Sequence, residues 1–156
     1  MPEAELKPEI CICLAIRQAA WHVTQFYDQF LAPLGLRATQ SSVLAKLGPL
    51  QPMTINALAN ELMMDRTTLG RNILPLQRDG LIAVVKGSAD RRSKELRLTD
   101  AGLARLRQAS KGWTEAQTRF EKAFGGERTV ELRALMHAVS TSDLAGADDR
   151  VAIESH

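Results

Sequence analysis

Residues 65–78 read Asp-Arg-Thr-Thr-Leu-Gly-Arg-Asn-Ile-Leu-Pro-Leu-Gln-Arg, a run holding the side-chain types that recognise base edges. With Leu69 at the centre of a buried helical face, Ile73 and Leu76 join it at helical spacing. The opposite face then presents Thr67, Arg71 and Arg78, with Gly70 beside them and Arg66 and Thr68 flanking near the helix start. A threonine can meet a thymine methyl or a base-edge acceptor, and an arginine can fork onto O6 and N7 of guanine. Free N–H groups at the helix start also suit a phosphate. Pro75 cannot donate to the carbonyl of Arg71, which predicts a bend there. The same pattern also describes the solvated side of an ordinary amphipathic helix, so this run alone does not decide.

A second cluster tips the balance. Asp90-Arg91-Arg92, with Lys94 just beyond, falls where a hairpin should turn, so two guanidinium groups can reach past the strands. An arginine in a narrow minor groove gains from its deep negative potential. Asp90 has the wrong sign for DNA, and its expected role is to orient a neighbouring guanidinium through a charge-assisted bond. Residues 54–98 hold eight Lys/Arg against five Asp/Glu, a local +3. The whole chain carries 20 basic and 18 acidic residues, net +2, so its near-neutral total conceals a basic centre between acidic ends.

Other chemistries find little support. No glycine-rich phosphate loop follows a strand, and no Ser, Cys or carboxylate pair has catalytic context, so no enzyme is expected. His22, His137 and His156 lie far apart without acidic partners at ligand spacing, so neither a metal site nor another cofactor is expected. Cys11 and Cys13 cannot build a disulfide framework. The start is acidic where a signal peptide would be basic, and the longest apolar run, residues 10–16, is short of the roughly 18 a membrane span needs. A cytoplasmic protein with no membrane partner is the expectation.

The elements that must position these residues follow from the pattern. At 156 residues the chain has the length of one domain, with 45% hydrophobic but only 4% aromatic residues. Residues 1–9 should be a flexible arm and residues 10–34 a long helix ended by Gly35. Thr39 is the expected N-cap of a second helix running to Leu47 and stopped by Gly48-Pro49. Thr54 should cap a third helix, and Asp65 a fourth that ends at Gly80. Strands at 81–85 and 94–98 form a hairpin, Thr99 caps a fifth helix to about Phe124, and a sixth covers about 127–140. Residues 141–156 should be a frayed acidic tail. The result is mainly α with a small β-hairpin wing: a winged helix-turn-helix lobe plus further helices.

The quoted residues also resemble a family. Leu58-Ala-Asn-Glu-Leu62, Asp65-Arg-Thr-Thr-Leu69, Leu76-Gln-Arg-Asp-Gly-Leu-Ile82, Asp90-Arg-Arg92 and Leu96-Arg-Leu-Thr-Asp-Ala-Gly102 are similar to the MarR regulators of bacteria. The D-x-R signature followed by L-x-L-T-x-x-G is the specific part, matched by Asp90, Arg92, Leu96, Leu98, Thr99 and Gly102. The resemblance covers roughly residues 10–140 as a single domain, with the winged lobe at about 39–98. It implies a homodimeric repressor whose dimerisation helices, about 10–34 and 99–140, interlock. Two lobes would then read a pseudo-palindromic DNA operator, and a small ligand or oxidant would relieve repression. Apolar stripes agree with a dimer: Leu132, Leu135, Met136 and Val139 on helix six, and Leu103, Leu106, Trp113, Phe120 and Phe124 on helix five. A winged-helix protein–protein module that never reads DNA is the competing reading of another class.

For an effector, Trp21 falls on the polar edge of helix one beside Arg17 and His22, with Ser41 and Ser42 expected to face the same cleft. Phenolic or other aromatic acids are the ligands that the resemblance suggests there, with Arg17 neutralising the carboxylate. The competing reading packs Trp21 at a dimer interface and leaves Arg17 in water. Cys11 and Cys13 raise a redox-sensing alternative. On a helix their thiols would point about 200° apart, leaving a link across the dimer or a role as small buried hydrophobes.

Overall fold

A computed structural model describes residues 5–146; residues 1–4 of the expected arm and 147–156 of the expected tail lie outside the described residues. Six α-helices and three short strands follow in the order α1 (Ile12–Leu31), α2 (Ala38–Leu50), β1 (Met53–Thr54), α3 (Ile55–Glu61), α4 (Arg66–Arg78), β2 (Ile82–Lys86), β3 (Lys94–Leu98), α5 (Asp100–Phe124) and α6 (Gly126–Ser140). The chain divides within α5 into two units, one ending at Gln117 and the other beginning at Thr118.

In the first unit, α2, α3 and α4 close over one face of the sheet. Val43, Leu44, Leu47, Leu58, Leu69, Ile73 and Leu76 meet Leu81, Ile82, Leu96 and Leu98 in one buried cluster. No aromatic side chain is among the buried residues described, so leucine carries the core. Full burial contributes about 1.5–3 kcal/mol per such side chain before chain entropy is counted.

The sheet has three strands, not the two of a simple hairpin. Its order is β1-β3-β2, antiparallel throughout, with Met53 opposite Leu96 and Ile82 opposite Leu98. Two residues are too few to show an alternating pattern, and Thr54 has a second role that masks the strand. Its hydroxyl accepts the Ala57 amide at 3.2 Å and caps α3 as expected.

The second helix departs from expectation at both ends. It starts at Ala38 because Asp28 of α1 supplies the acceptor that Thr39 was expected to provide: the Ala38 amide donates to Asp28 Oδ1 at 2.6 Å. Gln40 Oε1 accepts the Arg37 amide as well. At the other end the helix continues through Gly48-Pro49 to Leu50. A proline one residue from the end removes only the bond to the Ala45 carbonyl, and Ala45 is exposed to water.

One junction ties the recognition segment to α5. Thr99 donates its hydroxyl to the Gly80 carbonyl at 2.5 Å and accepts the Gly102 amide at 3.0 Å. Its own amide donates to the Leu81 carbonyl. Gly80, at φ 73°, turns the chain out of α4, and Gly102 lets α5 approach so closely that a Cβ there would overlap the Leu81 carbonyl oxygen. Farther along, Gly112 gives the same close passage to the Phe30 carbonyl of α1.

In the second unit, Phe120 stacks on Phe124, and the Arg128 guanidinium lies 4.1 Å from the Phe124 ring centre. Gly125, at φ 105°, separates α5 from α6. Leu135, Met136 and Val139 of α6 are exposed.

Because the contact at Gly102 is with backbone, Gly102→Ala should destabilise the chain by about 1–3 kcal/mol, as overpacking does. Urea unfolding of the two proteins measures it, and equal midpoints would contradict the assigned contact.

Candidate nucleic-acid interface

Asp65 starts α4. Its Oδ1 accepts the Thr68 amide at 2.8 Å, and its Oδ2 accepts the Thr68 hydroxyl at 2.5 Å. These bonds hold the Asp65 carboxyl below the usual carboxylate range, the Thr68 hydroxyl contributing most. They also engage Thr68, which therefore acts first as part of the cap rather than as a free group on the helix face. Asn72, absent from the expected set, donates to the Thr68 carbonyl at 3.1 Å and stiffens the same turn.

Leu69, Ile73 and Leu76 are buried, so α4 turns Arg66, Thr67, Arg71 and Arg78 outward, all exposed. The helix runs unbroken through Pro75. Leu74 joins the outer face at 65% exposure, an apolar residue among cations that the charge pattern did not single out. The spacing 67, 71, 74, 78 was the available signal.

The wing turn is held by backbone bonds. The Gly87 amide donates to the Ser93 carbonyl, and the Asp90 carbonyl accepts both the Ser93 amide and its hydroxyl. Asp90 Oδ1 accepts the Arg92 backbone amide at 2.9 Å. The expected bond from Asp90 to a guanidinium is not formed; its carboxylate, two residues before that amide, closes an Asx-type turn instead. Gly87 has no room for a Cβ, which would overlap Ser93 Oγ and the Asp90 carbonyl oxygen. Arg91, Arg92 and Lys94 are exposed. Among the described residues, no guanidinium of Arg66, Arg71, Arg78, Arg91 or Arg92 and no ammonium of Lys94 has a protein partner.

A cleft of about 650 Å³ lies between α1, α2 and α5 in the first unit. Val23, Tyr27, Leu31, Leu106 and Trp113 make it mostly apolar, and Ser41, Ser42 and Arg107 line it too. Ser41 Oγ is buried there without a hydrogen-bond partner, while the Ser42 hydroxyl donates to the Ala38 carbonyl at 3.0 Å. Of the residues expected at an effector site, Ser41 and Ser42 line the cleft. Arg17, Trp21 and His22 are exposed and do not, Trp21 at 66%. Tyr27 and Trp113 take the aromatic places and Arg107 the cationic one. Helical periodicity put Trp113 on the apolar stripe of α5 but did not show where α1, α2 and α5 would part to leave space.

Neither Cys11 nor Cys13 is fully buried within the single chain. Cys11 is half-buried and Cys13 exposed. Cys11 is the N-cap of α1, with extended backbone and its sulfur accepting the Leu14 amide at 3.5 Å, so the 200° helical separation does not apply. A 3-10 turn at Pro8–Ile10 precedes it and moves the helix start past Cys11. Among the described residues no group of His, Cys, Asp and Glu is arranged to hold a metal, and no helix is long and apolar enough to cross a membrane.

Comparison with known proteins agrees with this geometry. The transcriptional regulator MosR of M. tuberculosis, solved in complex with DNA, is 35% identical, with 86% of this chain and 99% of that one covered at a TM-score of 0.72. The family model for MarR matches residues 36–94. The chain belongs to the MarR family. The repressor CouR, solved bound to a 23-mer DNA duplex, is 27% identical over 88% of this chain and 99% of its own, at a TM-score of 0.75. The regulator PecS of Dickeya dadantii (strain 3937) is 24% identical over 141 residues, 88% of this chain and 84% of PecS. As a MarR-family member, the chain is a DNA-binding transcriptional regulator with a winged-helix fold, a non-enzymatic class.

The cap on α4 has a pH signature. Because the folded carboxyl of Asp65 titrates below its unfolded value of about 3.9, its contribution is present above that pH and lost as pH falls through the folded pKa. Asp65→Ala should lower the melting temperature at neutral pH, and the gap between variant and parent should close in acid. A gap independent of pH would contradict the carboxylate cap.

Proposed function

We propose that this regulator is a homodimeric repressor that grips a pseudo-palindromic operator with two winged lobes and releases it when a small aromatic or phenolic ligand binds. The observation that carries the reading is the set of unpartnered guanidinium groups on α4 and the wing tip of one lobe. In this reading Arg66, Thr67 and Arg71 of α4 enter the major groove, where Leu74 offers an apolar surface to a thymine methyl. Thr68 sets the first turn, and Arg78 meets the backbone beyond. Arg91 and Arg92 reach the adjacent minor groove, Asp90 shapes their loop, and Lys94 contacts phosphate. MosR and CouR were each solved with DNA, which supports the partner class and favours it over a protein–protein module.

A second copy of the chain accounts for the apolar surface. Ile10 and Ile12 are 77% and 72% exposed, and Leu135, Met136 and Val139 lie open on α6. Residues 39–98 then form the DNA-reading lobe, and residues 10–34 and 99–140 the dimer-forming helices of one domain spanning 10–140. Two-fold symmetry puts equivalent α4 helices in successive major grooves, about 34–36 Å apart.

The cleft suits the effector. It is walled by Tyr27 and Trp113, has Arg107 for an acid group, and leaves Ser41 Oγ without a partner. It touches both α2 of the lobe and the long helices α1 and α5, so a ligand there would bias the angle between them. A cysteine-based signal is the second reading, favoured by Cys11 capping α1 with Cys13 exposed nearby. A hydroperoxide would oxidise one thiolate to a sulfenic acid and leave as the alcohol. The other thiol would then displace water to form the disulfide.

Arg92→Ala should weaken binding to the duplex upstream of the chain's own gene by about 1–3 kcal/mol, and Arg71→Ala should also change base preference. Unchanged affinity on both would defeat the placement. Challenging the protein–DNA complex with benzoate, salicylate and cumene hydroperoxide separates the signals. Release by an aromatic acid, lost in Trp113→Ala, supports the cleft; release by peroxide alone, lost in Cys11→Ser, supports the thiols.

A further inference from the structure

The last rung of the β2–β3 ladder before the wing turn pairs Lys86 directly with Lys94. Both are exposed, and among the described residues neither has an ion-pair partner. Like charges set directly opposite on one face of an antiparallel pair repel and destabilise it. Nothing in the fold requires that cost, since the loop beyond is already closed by the bonds between Gly87, Asp90 and Ser93.

Strand alternation says which way the pair points. Ile82 opposite Leu98 and Val84 opposite Leu96 share its face, and Ile82, Leu96 and Leu98 belong to the core that Leu69, Ile73 and Leu76 of α4 close. The two lysines therefore continue the α4-bearing face of the sheet outward toward Arg91 and Arg92. Glu95, the acid next to Lys94 in sequence, belongs to the other face, opposite Val85 and Thr54.

We propose that Lys86 and Lys94 form a two-ammonium clamp on the phosphodiester backbone running between the groove entered by α4 and the groove entered by the wing tip. A polyanion is the partner that turns this rung from repulsive to favourable. Two mobile point charges suit a backbone contact, whereas a base edge calls for the planar fork of arginine. The clamp rests on the DNA placement proposed above and adds Lys86 to it. Its role is to fix the lobe's register on the duplex without reading sequence.

The test uses Lys86→Thr, Lys94→Thr, the double variant, Lys86→Arg and Arg92→Ala, with a random-sequence duplex of about 30 base pairs, three helical turns. The slope of log affinity against log salt should fall by about 1 for either lysine and about 2 for both, and Lys86→Arg should retain it. Sequences selected from a random duplex pool should match those of the parent. In the free protein, Lys86→Thr should raise the melting temperature at low salt, and the difference should vanish at high salt as screening removes the repulsion. An unchanged slope, a changed base in the selected sequence, a lost slope in Lys86→Arg or an unaltered melting temperature each overturns the clamp. A slope that falls for Arg92→Ala but for neither lysine removes the clamp and leaves the wing reading standing. No response from any variant removes both.

Discussion

The structure depends on one junction, where Thr99, Gly80, Leu81 and Gly102 bring the end of α4, the start of β2 and the first turn of α5 together. The threonine hydroxyl donates to one of these segments and accepts from another, and the absent Cβ at Gly102 lets the helix sit against the strand backbone. The recognition helix and the wing thus leave a common origin in fixed directions. Without that, exposed arginines on two elements would be two solvated patches rather than one surface able to follow a duplex. Preorganisation of this kind lowers the ordering cost of binding, the reason rigid elements make better readers than loops.

Apolar burial and polar exposure divide the labour around the junction. Leucine from α2, α3, α4 and the sheet fixes each element in rotation, and that rotation alone decides that Arg66, Thr67, Arg71 and Arg78 face outward. The wing obeys a different rule, because its tip has no core beneath it. There, Asp90 and Ser93 hold the turn by bonds to backbone, and Arg91 and Arg92 are left to the solvent. Each basic group is costly to crowd and gains from an anion, so the surface is most stable when occupied.

Much of this was legible in the residues. The caps Thr54, Asp65 and Thr99, the glycine stop at 80 and the alternation of Leu96 and Leu98 follow local rules that a sequence displays, whereas α1 ends at Leu31 and Gly35 closes the 3-10 turn that follows it. What it hid were arrangements set by distant partners. Asp28 of α1 caps α2, and a two-residue strand at Met53–Thr54 exists only because β3 lies beside it. The cleft is the clearest case. A helical stripe shows that Tyr27 and Trp113 are on useful faces but not that their helices part, so Trp21 and Arg17 looked equally suitable. Thr68 and Asp90 were read as groups facing DNA or a guanidinium, whereas the Thr68 hydroxyl donates to the Asp65 carboxylate and Asp90 accepts the Arg92 backbone amide.

The central claim is that two such lobes, related by two-fold symmetry, place α4 in successive major grooves of one duplex. Methylation interference at guanine N7, a major-groove atom, on the DNA upstream of the gene tests it most directly. The account predicts two clusters of interfering guanines whose centres lie about one helical turn, 10–10.5 base pairs, apart. One cluster alone, or none while the protein remains bound, would contradict it.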